Sequence, residues 1–445
     1  MLSPWSILKI GLCVGVLSGF GALLFYELLK LLGSFALSFL FGYAYPEEGM
    51  ALEEAAAWAA PQYLWLIIPI LCAGAFLSSL LVQKTAPETK GAGTNNAIKA
   101  FHDDGKIRWR VPFVKIAASV LTIGTGGSAG CEGPITQVCA GFGAIVSDLF
   151  HFSEKERKMA IAAGIGAGIG AIFKAPFGGA VLGAEILYLK GFDFEALIPS
   201  LIASMISFLV FGFFEGYDAL FCTLEFVFTL TEIPLFAVFG AVAALIGLLY
   251  IFCFYKTQTI FAKIHLPELF KPVLGVLIFG IIVVVFGLIS PQTAAAALGT
   301  LGTGYGFVQL ALYNLLPFAV LLILPFLKIL GTSLTIGSGA SGGVFAPGLS
   351  IGAFAGGAFG AGLVFFFPDV FSPLIVPAFV IVGMIALFGS ISHAPVAVLI
   401  MVMEMTRSVS LVIPAALALI AACLIVRKKT LFSQQREKNG KKEAE

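Results

Sequence analysis

The sequence predicts an all-α polytopic membrane protein with broken helices and duplicated halves. Three observations carry that expectation: its composition, its long apolar runs, and Gly/Pro clusters that return at a nearly constant distance along the chain. Of 445 residues, 59% are hydrophobic and 11% charged, with a mean hydropathy of +1.02. Soluble domains carry about 25% charged residues, so this is a bilayer composition.

Apolar runs recur at 5–41, 63–82, 111–130, 194–214, 233–255, 272–289, 308–330, 349–367, 373–389 and 408–426. Several reach the ~20 residues a spanning helix requires, so ten or more membrane helices are expected. The first run starts at Trp5 and passes Phe41 with Lys9, Glu27 and Lys30 inside it. It is too long for a signal-peptide core and is read as retained. One straight helix of that length exceeds ~50 Å against a hydrocarbon core of ~30 Å, so tilt or a partly interfacial position follows. Nothing alternates with period two, which excludes membrane strands.

Charge placement orients the chain. The net charge of +1 points to no partner class, and no nucleic-acid partner is expected. Leu31 to Gln83 holds no Lys or Arg, while the 42–62 loop holds Glu47, Glu48, Glu53 and Glu54. That loop should face outside. Lys84, Lys90, Lys99, Lys106, Arg108 and Arg110 follow, and from Arg427 onward seven Lys/Arg stand against three Glu. Both stretches and both termini should be cytoplasmic, in a multi-pass protein of the cell (inner) membrane. The seven cysteines show no metal-ligand spacing and read as free, mostly buried thiols.

The repeat is visible in two places. Gly127 to Pro134 resembles Ser338 to Pro347 in composition, 213 positions later at the proline. Ala175-Pro176 is followed nine residues after the proline by Glu185, and Ala394-Pro395 likewise by Glu404, with the prolines 219 apart. The halves are placed at 1–215 and 233–427, with a junction at 216–232 and a basic tail at 428–445. Broken helices at matching places in two halves mark transporters whose substrate sits between repeats. Gly164, Gly166, Gly168 and Gly170 read instead as close-packing positions. At 124–134 and 337–348 a helix-starting Pro fixes a break that packing does not need, and such backbone survives at membrane depth only where protein or a wet cavity satisfies it.

Helix starts attract anions through unpaired N–H groups and about half a positive charge. Without a cationic side chain they hold an anion weakly enough to release it, as conduction requires. Three Gly-containing loops open helices: Gly91 to Asn95, Gly130 to Pro134 and Gly343 to Pro347. Glu132 lies inside the second. It either caps its helix or competes with the anion as a tethered gate, and the roughly 2.5–3.5 kcal/mol cost of an intramembrane ionisable group favours the gate. Glu185 and Glu404 read as symmetric structural carboxylates at least as readily as functional ones. His102 and His393 read as surface or cap residues.

Gly130-Cys131-Glu132-Gly133-Pro134 resembles the GK/REGP segment of the CLC family of chloride channels and proton-coupled chloride transporters, and Gly343-Val344-Phe345-Ala346-Pro347 fits its GxFxP segment. Lys115, Ala175-Pro176 with Glu185, and Ala394-Pro395 leading to Glu404-Met405-Thr406 keep the family's order over roughly residues 90 to 432. The resemblance implies a prokaryotic homodimer with one anion path per subunit, two inverted-topology repeats, re-entrant helices and bound chloride ions without another cofactor. It implies anion coordination at Ala92, Gly93, Thr94 and Asn95, at Glu132, Gly133 and Pro134, and at Val344, Phe345, Ala346 and Pro347, with Glu132 as external gate. The chain departs from the family in four places. GSGIP reads Gly91-Ala92-Gly93-Thr94-Asn95, the basic residue of GK/REGP is Cys131, Ile186 stands where exchangers have a proton-relay glutamate, and Phe432 replaces the tyrosine that closes the inner side of the anion path. Proton coupling by the usual route is not expected, and no regulatory cystathionine-synthase-type domains are expected after the last helix.

Chloride permeation gated by Glu132, channel-like or weakly proton-coupled, is the expected function. A fluoride/proton antiporter of the same fold is the alternative, because the filter lacks its serine and carries Asn95. A membrane enzyme is disfavoured, since no HExxH, no clustered ligands and no nucleophile with a positioned base are present. Nucleotide binding is excluded because the glycine runs follow no strand.

Overall fold

The computed structural model describes residues 3–224, 226, 228–229 and 232–438. Positions 225, 227, 230 and 231 of the expected junction and 439–445 of the expected tail lie outside the described residues.

Eighteen α-helices are found among them. In the first half these are α1 (Pro4–Gly33), α2 (Leu52–Ala56), α3 (Ile67–Thr85), α4 (Gly93–His102), α5 (Arg110–Gly124), α6 (Glu132–Leu149), α7 (Glu154–Ile172), α8 (Pro176–Glu185) and α9 (Phe194–Glu215). The second half has α10 (Ile233–Lys263), α11 (Lys271–Ile289), α12 (Pro291–Leu298), α13 (Tyr305–Leu312), α14 (Phe318–Gly337), α15 (Phe345–Phe366), α16 (Ile375–Ile391), α17 (Pro395–Thr406) and α18 (Val412–Val426).

The first apolar run is one continuous helix. Ser3 caps it by accepting from the Ser6 amide, Pro4 opens it, and a π-helical stretch, Ser34–Leu40, extends it to 37 residues. Among the described residues eight helices, not ten or more, are long and apolar enough to span a membrane. The difference lies in the breaks. The 111–130 run stops at Gly124 as a 15-residue helix, and the 373–389 run yields the 17-residue α16. The 308–330 run divides between α13 and α14, where Asn314 takes φ +56° and Pro317 caps the next helix.

The two halves are related by inverted topology, and the polar interior shows the pairing position by position. Lys115 donates to the carbonyls of Thr89 (3.0 Å) and Gly91 (2.6 Å). Lys328, 213 positions later, donates to those of Thr300 (3.0 Å) and Gly302 (2.7 Å). Both lysines are fully buried. Their ammonium groups hold the loops that lead into α4 and α13, which the sequence prepares alike as Thr89-x-Gly91-x-Gly93 and Thr300-x-Gly302-x-Gly304.

A second pair of contacts swaps helix caps between halves. The Glu185 carboxylate, at the end of α8, accepts from Val396 (3.3 Å) and Ala397 (2.7 Å) at the start of α17. Glu404, near the end of α17, accepts from Phe177 (3.1 Å) and Gly178 (2.7 Å) at the start of α8. Each carboxylate thus satisfies amides that a Pro-initiated helix leaves unpaired at membrane depth. Lys174 and His393, just ahead of the two prolines, share a left-handed backbone, φ +53° and +54°.

The glycines of α7 pack as expected. A Cβ at Gly164 would lie 2.1 Å from the Cys139 carbonyl of α6, and one at Gly170 would lie 1.9 Å from Ser204 Oγ of α9. The seven cysteines are free, with Cys222 exposed in the junction.

The tail packs against the membrane body as far as Lys438. It is not a segment apart from the membrane body. β2 (Arg436–Glu437) pairs in parallel with β1 (Tyr188–Lys190). Arg436 meets Asp103 at 2.6 Å, and Gln435 donates to the carbonyls of Ile186 and Ser392. His102 and His393 serve the same seam rather than the surface. His102 bonds the Leu187 carbonyl, and His393 bonds those of Leu189 and Lys429. Burial holds both imidazoles below their usual pKa, and a neutral His393 ring, with one N–H, donates to only one of its two carbonyls at a time.

Candidate anion-binding site

Four helix starts converge between the halves. Those of α6 and α15 meet through a two-hydrogen-bond bridge in which the Gly130 amide donates to the Gly343 carbonyl (2.8 Å) and the Gly343 amide donates to Gly130 (2.7 Å). The flanking contacts repeat about this bridge. The Ala129 amide donates to the Gly302 carbonyl (3.1 Å), and the Gly342 amide to the Gly91 carbonyl (3.4 Å). Ser119 and Ser341 hydroxyls pair at 3.0 Å, Ser128 and Thr332 at 3.1 Å. Backbone groups of the loops at 124–134 and 337–348 are therefore satisfied by one another and by the loops at Gly91 and Gly302, which is the condition for irregular backbone inside a bilayer.

Glu132, the first residue of α6, is fully buried at this junction. One carboxylate oxygen accepts from the Tyr305 hydroxyl at 2.8 Å and from Cys131 Sγ at 3.4 Å. The other accepts from the Ala346 amide at 3.1 Å, at the start of α15. The carboxylate of α6 thus occupies the amide of another helix start, where a free anion would also bind. Gly130 is required beside it, because a Cβ there would lie 2.2 Å from the carboxylate oxygen.

The other expected residues gather around this point unequally. Gly93 opens α4 against α6, where a Cβ would meet the Gly133 carbonyl at 2.5 Å. Thr94 is buried with its hydroxyl turned toward Gly133. Gly133 in turn abuts Gly343. Val344 is held through its carbonyl by the Tyr250 hydroxyl at 3.1 Å, and Phe345 stacks between Phe173 and Phe388. Pro134 and Pro347 lie in the first turns of α6 and α15. Gly91, at φ +69°, and Ala92 line instead a cavity of about 600 Å³ on the side of the 84–110 segment. Asn95 lines it too, and its amide oxygen accepts from the Gln434 amide at 3.4 Å. Phe432 is buried in the segment after α18, next to a Leu431 carbonyl that accepts from Tyr255. Ile186 is buried and its carbonyl is taken by Gln435.

On the opposite side, Glu132, Cys131 and Tyr305 face a cavity of about 140 Å³ closed over by Tyr43 to Glu48 of the 42–62 loop. The cavities therefore flank the bridge from the two sides, with Glu132 facing the smaller one.

Two residues of this site were not expected from the sequence. Tyr305 opens α13, the fourth converging helix, and packs among Phe173 and Phe221. Lys328 holds the loop ahead of it. Both were within reach, because the offset that joins Pro134 to Pro347 carries Lys115 to Lys328, and the matching Thr-x-Gly-x-Gly stretches place Tyr305 opposite Thr94. No cluster of three or more metal-ligating side chains occurs among the described residues.

Known proteins share this architecture. The chain is similar to a solved slow cyanobacterial Cl⁻/H⁺ antiporter (TM-score 0.78, 23% identity, 96% of this chain and 95% of that one). It is also similar to a CLC-type fluoride/proton antiporter (TM-score 0.79, 21% identity, 98% and 100%). Among characterised sequences, an H⁺/Cl⁻ exchange transporter, ClcA, of Cronobacter sakazakii is 30% identical over 85% of this chain and 83% of its own length. An uncharacterised protein of Methanocaldococcus jannaschii is 30% identical over 82% and 86%. The family model for voltage-gated chloride channels matches residues 74–427. The ordered Gly/Pro loops, the inverted halves and this match agree, and the chain belongs to the CLC family of voltage-gated chloride channels and chloride transporters.

Proposed function

We propose that this protein conducts chloride across the cell membrane through the junction of its four helix starts, with Glu132 as the gate and little or no proton coupling. The observation that carries the proposal is the Glu132 carboxylate lying on the Ala346 amide. In this arrangement the gate and the transported anion compete for one donor. When the carboxylate is protonated or swings away, the amide is free for chloride, and departure of chloride lets the carboxylate return. The surrounding donors are backbone amides and hydroxyls; the buried Lys115 and Lys328 amino groups are turned to loop carbonyls. Binding is then weak enough for rapid exit.

The buried Ile186, with no ionisable group at that position, supports weak coupling. Asn95, one of the two features behind the fluoride alternative, turns its amide oxygen to the Gln434 backbone, which supports chloride as cargo. In this proposal the 42–62 loop and the 140 Å³ cavity lie outside, and the lysine-bearing 84–110 side and both termini are cytoplasmic. One such path per subunit of a homodimer completes the proposal.

The test is chloride efflux from proteoliposomes with internal pH recorded. Glu132→Gln should raise flux at neutral pH well above that of the wild type and shrink the acid activation. An unchanged pH profile in that variant removes the gating role, and protons driven against their gradient by chloride remove the weakly coupled reading.

A further inference from the structure

The small outer cavity holds two further carboxylates, Glu47 and Glu48, that the gate mechanism does not use. Tyr43 to Glu48 form a strap across its mouth, and Glu48 lines the same cavity as Glu132 and Tyr305. The strap is fastened to α13, the helix whose first residue bonds the gate. The Gly49 amide donates to Gln309 Oε1 (3.1 Å) and the Tyr313 hydroxyl to the Met50 carbonyl (2.8 Å). The Pro46 carbonyl lies so close over Gly306 that a Cβ there would meet it at 1.7 Å. Gln309 also joins the strap to the junction, exchanging two hydrogen bonds with Cys222 at 3.0 and 2.7 Å. An anion leaving Glu132 on this side enters a cavity that has one acidic wall.

We propose that Glu48 is an outer acidic guard of the anion path, which repels chloride from the mouth when ionised and admits it when protonated. This rests on the chloride-path reading above and adds a separate residue to it. Within the path, a unit negative charge on a narrow, low-dielectric mouth depletes anions there far more than the same charge on open surface.

The groups around Glu48 set when it titrates. Glu47 beside it and Glu132 across the cavity are acidic, while Lys30 of α1 and Lys174 ahead of α8 are basic. Tyr26, Tyr43, Tyr45, Tyr305 and Cys131 supply hydroxyls and a thiol. Burial, with the charges of Glu47 and Glu132, pushes the Glu48 carboxyl up to about 7, against the opposing effects of its backbone hydrogen bond and Lys174. Its charge therefore changes within the range in which flux is measured.

The experiment compares chloride efflux between pH 5 and 8.5 for wild type, E48Q, E132Q and the double variant, all reconstituted as full-length protein. E48Q should raise flux at pH 8 by about threefold and leave flux at pH 5 unchanged. With the gate removed, E132Q should still lose flux as pH rises, and E48Q in that background should flatten the profile. The guard is overturned if the double variant keeps the pH step of E132Q, or if E48Q superimposes on wild type. The gating proposal fails separately, through an unaltered E132Q profile. If E48Q does not purify as folded protein, E48S removes the same carboxylate and is read by the same two criteria.

Discussion

Replacing Tyr305 with Phe removes one hydroxyl from the Glu132 carboxylate and keeps the ring that packs on Phe173 and Phe221. The closed gate is then held by the Ala346 amide and the weaker Cys131 thiol alone. A hydrogen bond to a charged group contributes about 1.5–3 kcal/mol. Removed only from the closed state, it shifts the balance between occupied and vacated amide by roughly 10- to 150-fold toward vacated. Chloride efflux from proteoliposomes at pH 7.5 should therefore rise by about tenfold or more, and the acid activation should shrink because less of the population remains to be opened. Thermal stability of the detergent-solubilised protein should change little, since the aromatic packing is retained. Flux at pH 7.5 within twofold of wild type, with an unshifted pH profile, would refute the idea that Tyr305 latches the gate.

Lys115→Met and Lys328→Met should each lower thermal stability by about 2–4 kcal/mol, read from unfolding in detergent, because two loop carbonyls lose a buried donor; a loss confined to one of the pair would contradict their equivalent roles. Glu185→Gln and Glu404→Gln should cost about 1–2 kcal/mol each and leave the chloride-to-proton flux ratio unchanged, since both carboxylates face helix-start amides. Burial alone would raise the Glu88 carboxyl, but paired hydrogen bonds from Arg108 hold it below the usual range. A carboxyl lowered in the folded state stabilises above its unfolded value of about 4.3 and loses that contribution as pH falls through the folded value. Because the pair is partly exposed, the stabilisation is under about 1 kcal/mol, and Glu88→Gln should remove a small acid-side fall in the unfolding midpoint.

The membrane class was legible because apolar length and low charge are one-dimensional properties. The repeat was legible where proline fixed a helix start, as at Pro134, Pro347, Pro176 and Pro395. Span count was less so. Hydropathy does not register a left-handed Asn314 or a stop at Gly124, so a run of apolar residues reads as one helix where the chain makes two or a short one. Glu132 was found because an acid in an apolar Gly/Pro loop has few structural reasons to be there. Its partner was not, because a tyrosine in an apolar run looks like packing. The hydroxyl contact exists only once α13 is brought across from the other half, 173 positions away. Lys328 was hidden for the same reason, although its counterpart Lys115 had been noticed. The swapped roles of Glu185 and Glu404 needed three dimensions, since sequence spacing places each carboxylate on its own helix rather than on the start of the other.

The bridge between Gly130 and Gly343 also sets a timetable for synthesis. The amide of Gly130 finds its acceptor only after 213 further residues have been made. At roughly 5–20 residues per second, that interval is about 10–40 s. During it, the first filter loop stands in or beside the bilayer with its polar backbone unsatisfied, at a cost of several kcal/mol per group if it meets lipid. The first half must therefore wait in a wet or chaperoned setting, and insertion of α14 and α15 is the event that releases it. A chain interrupted before α15 would be left with the beginning of an anion path that cannot close on itself.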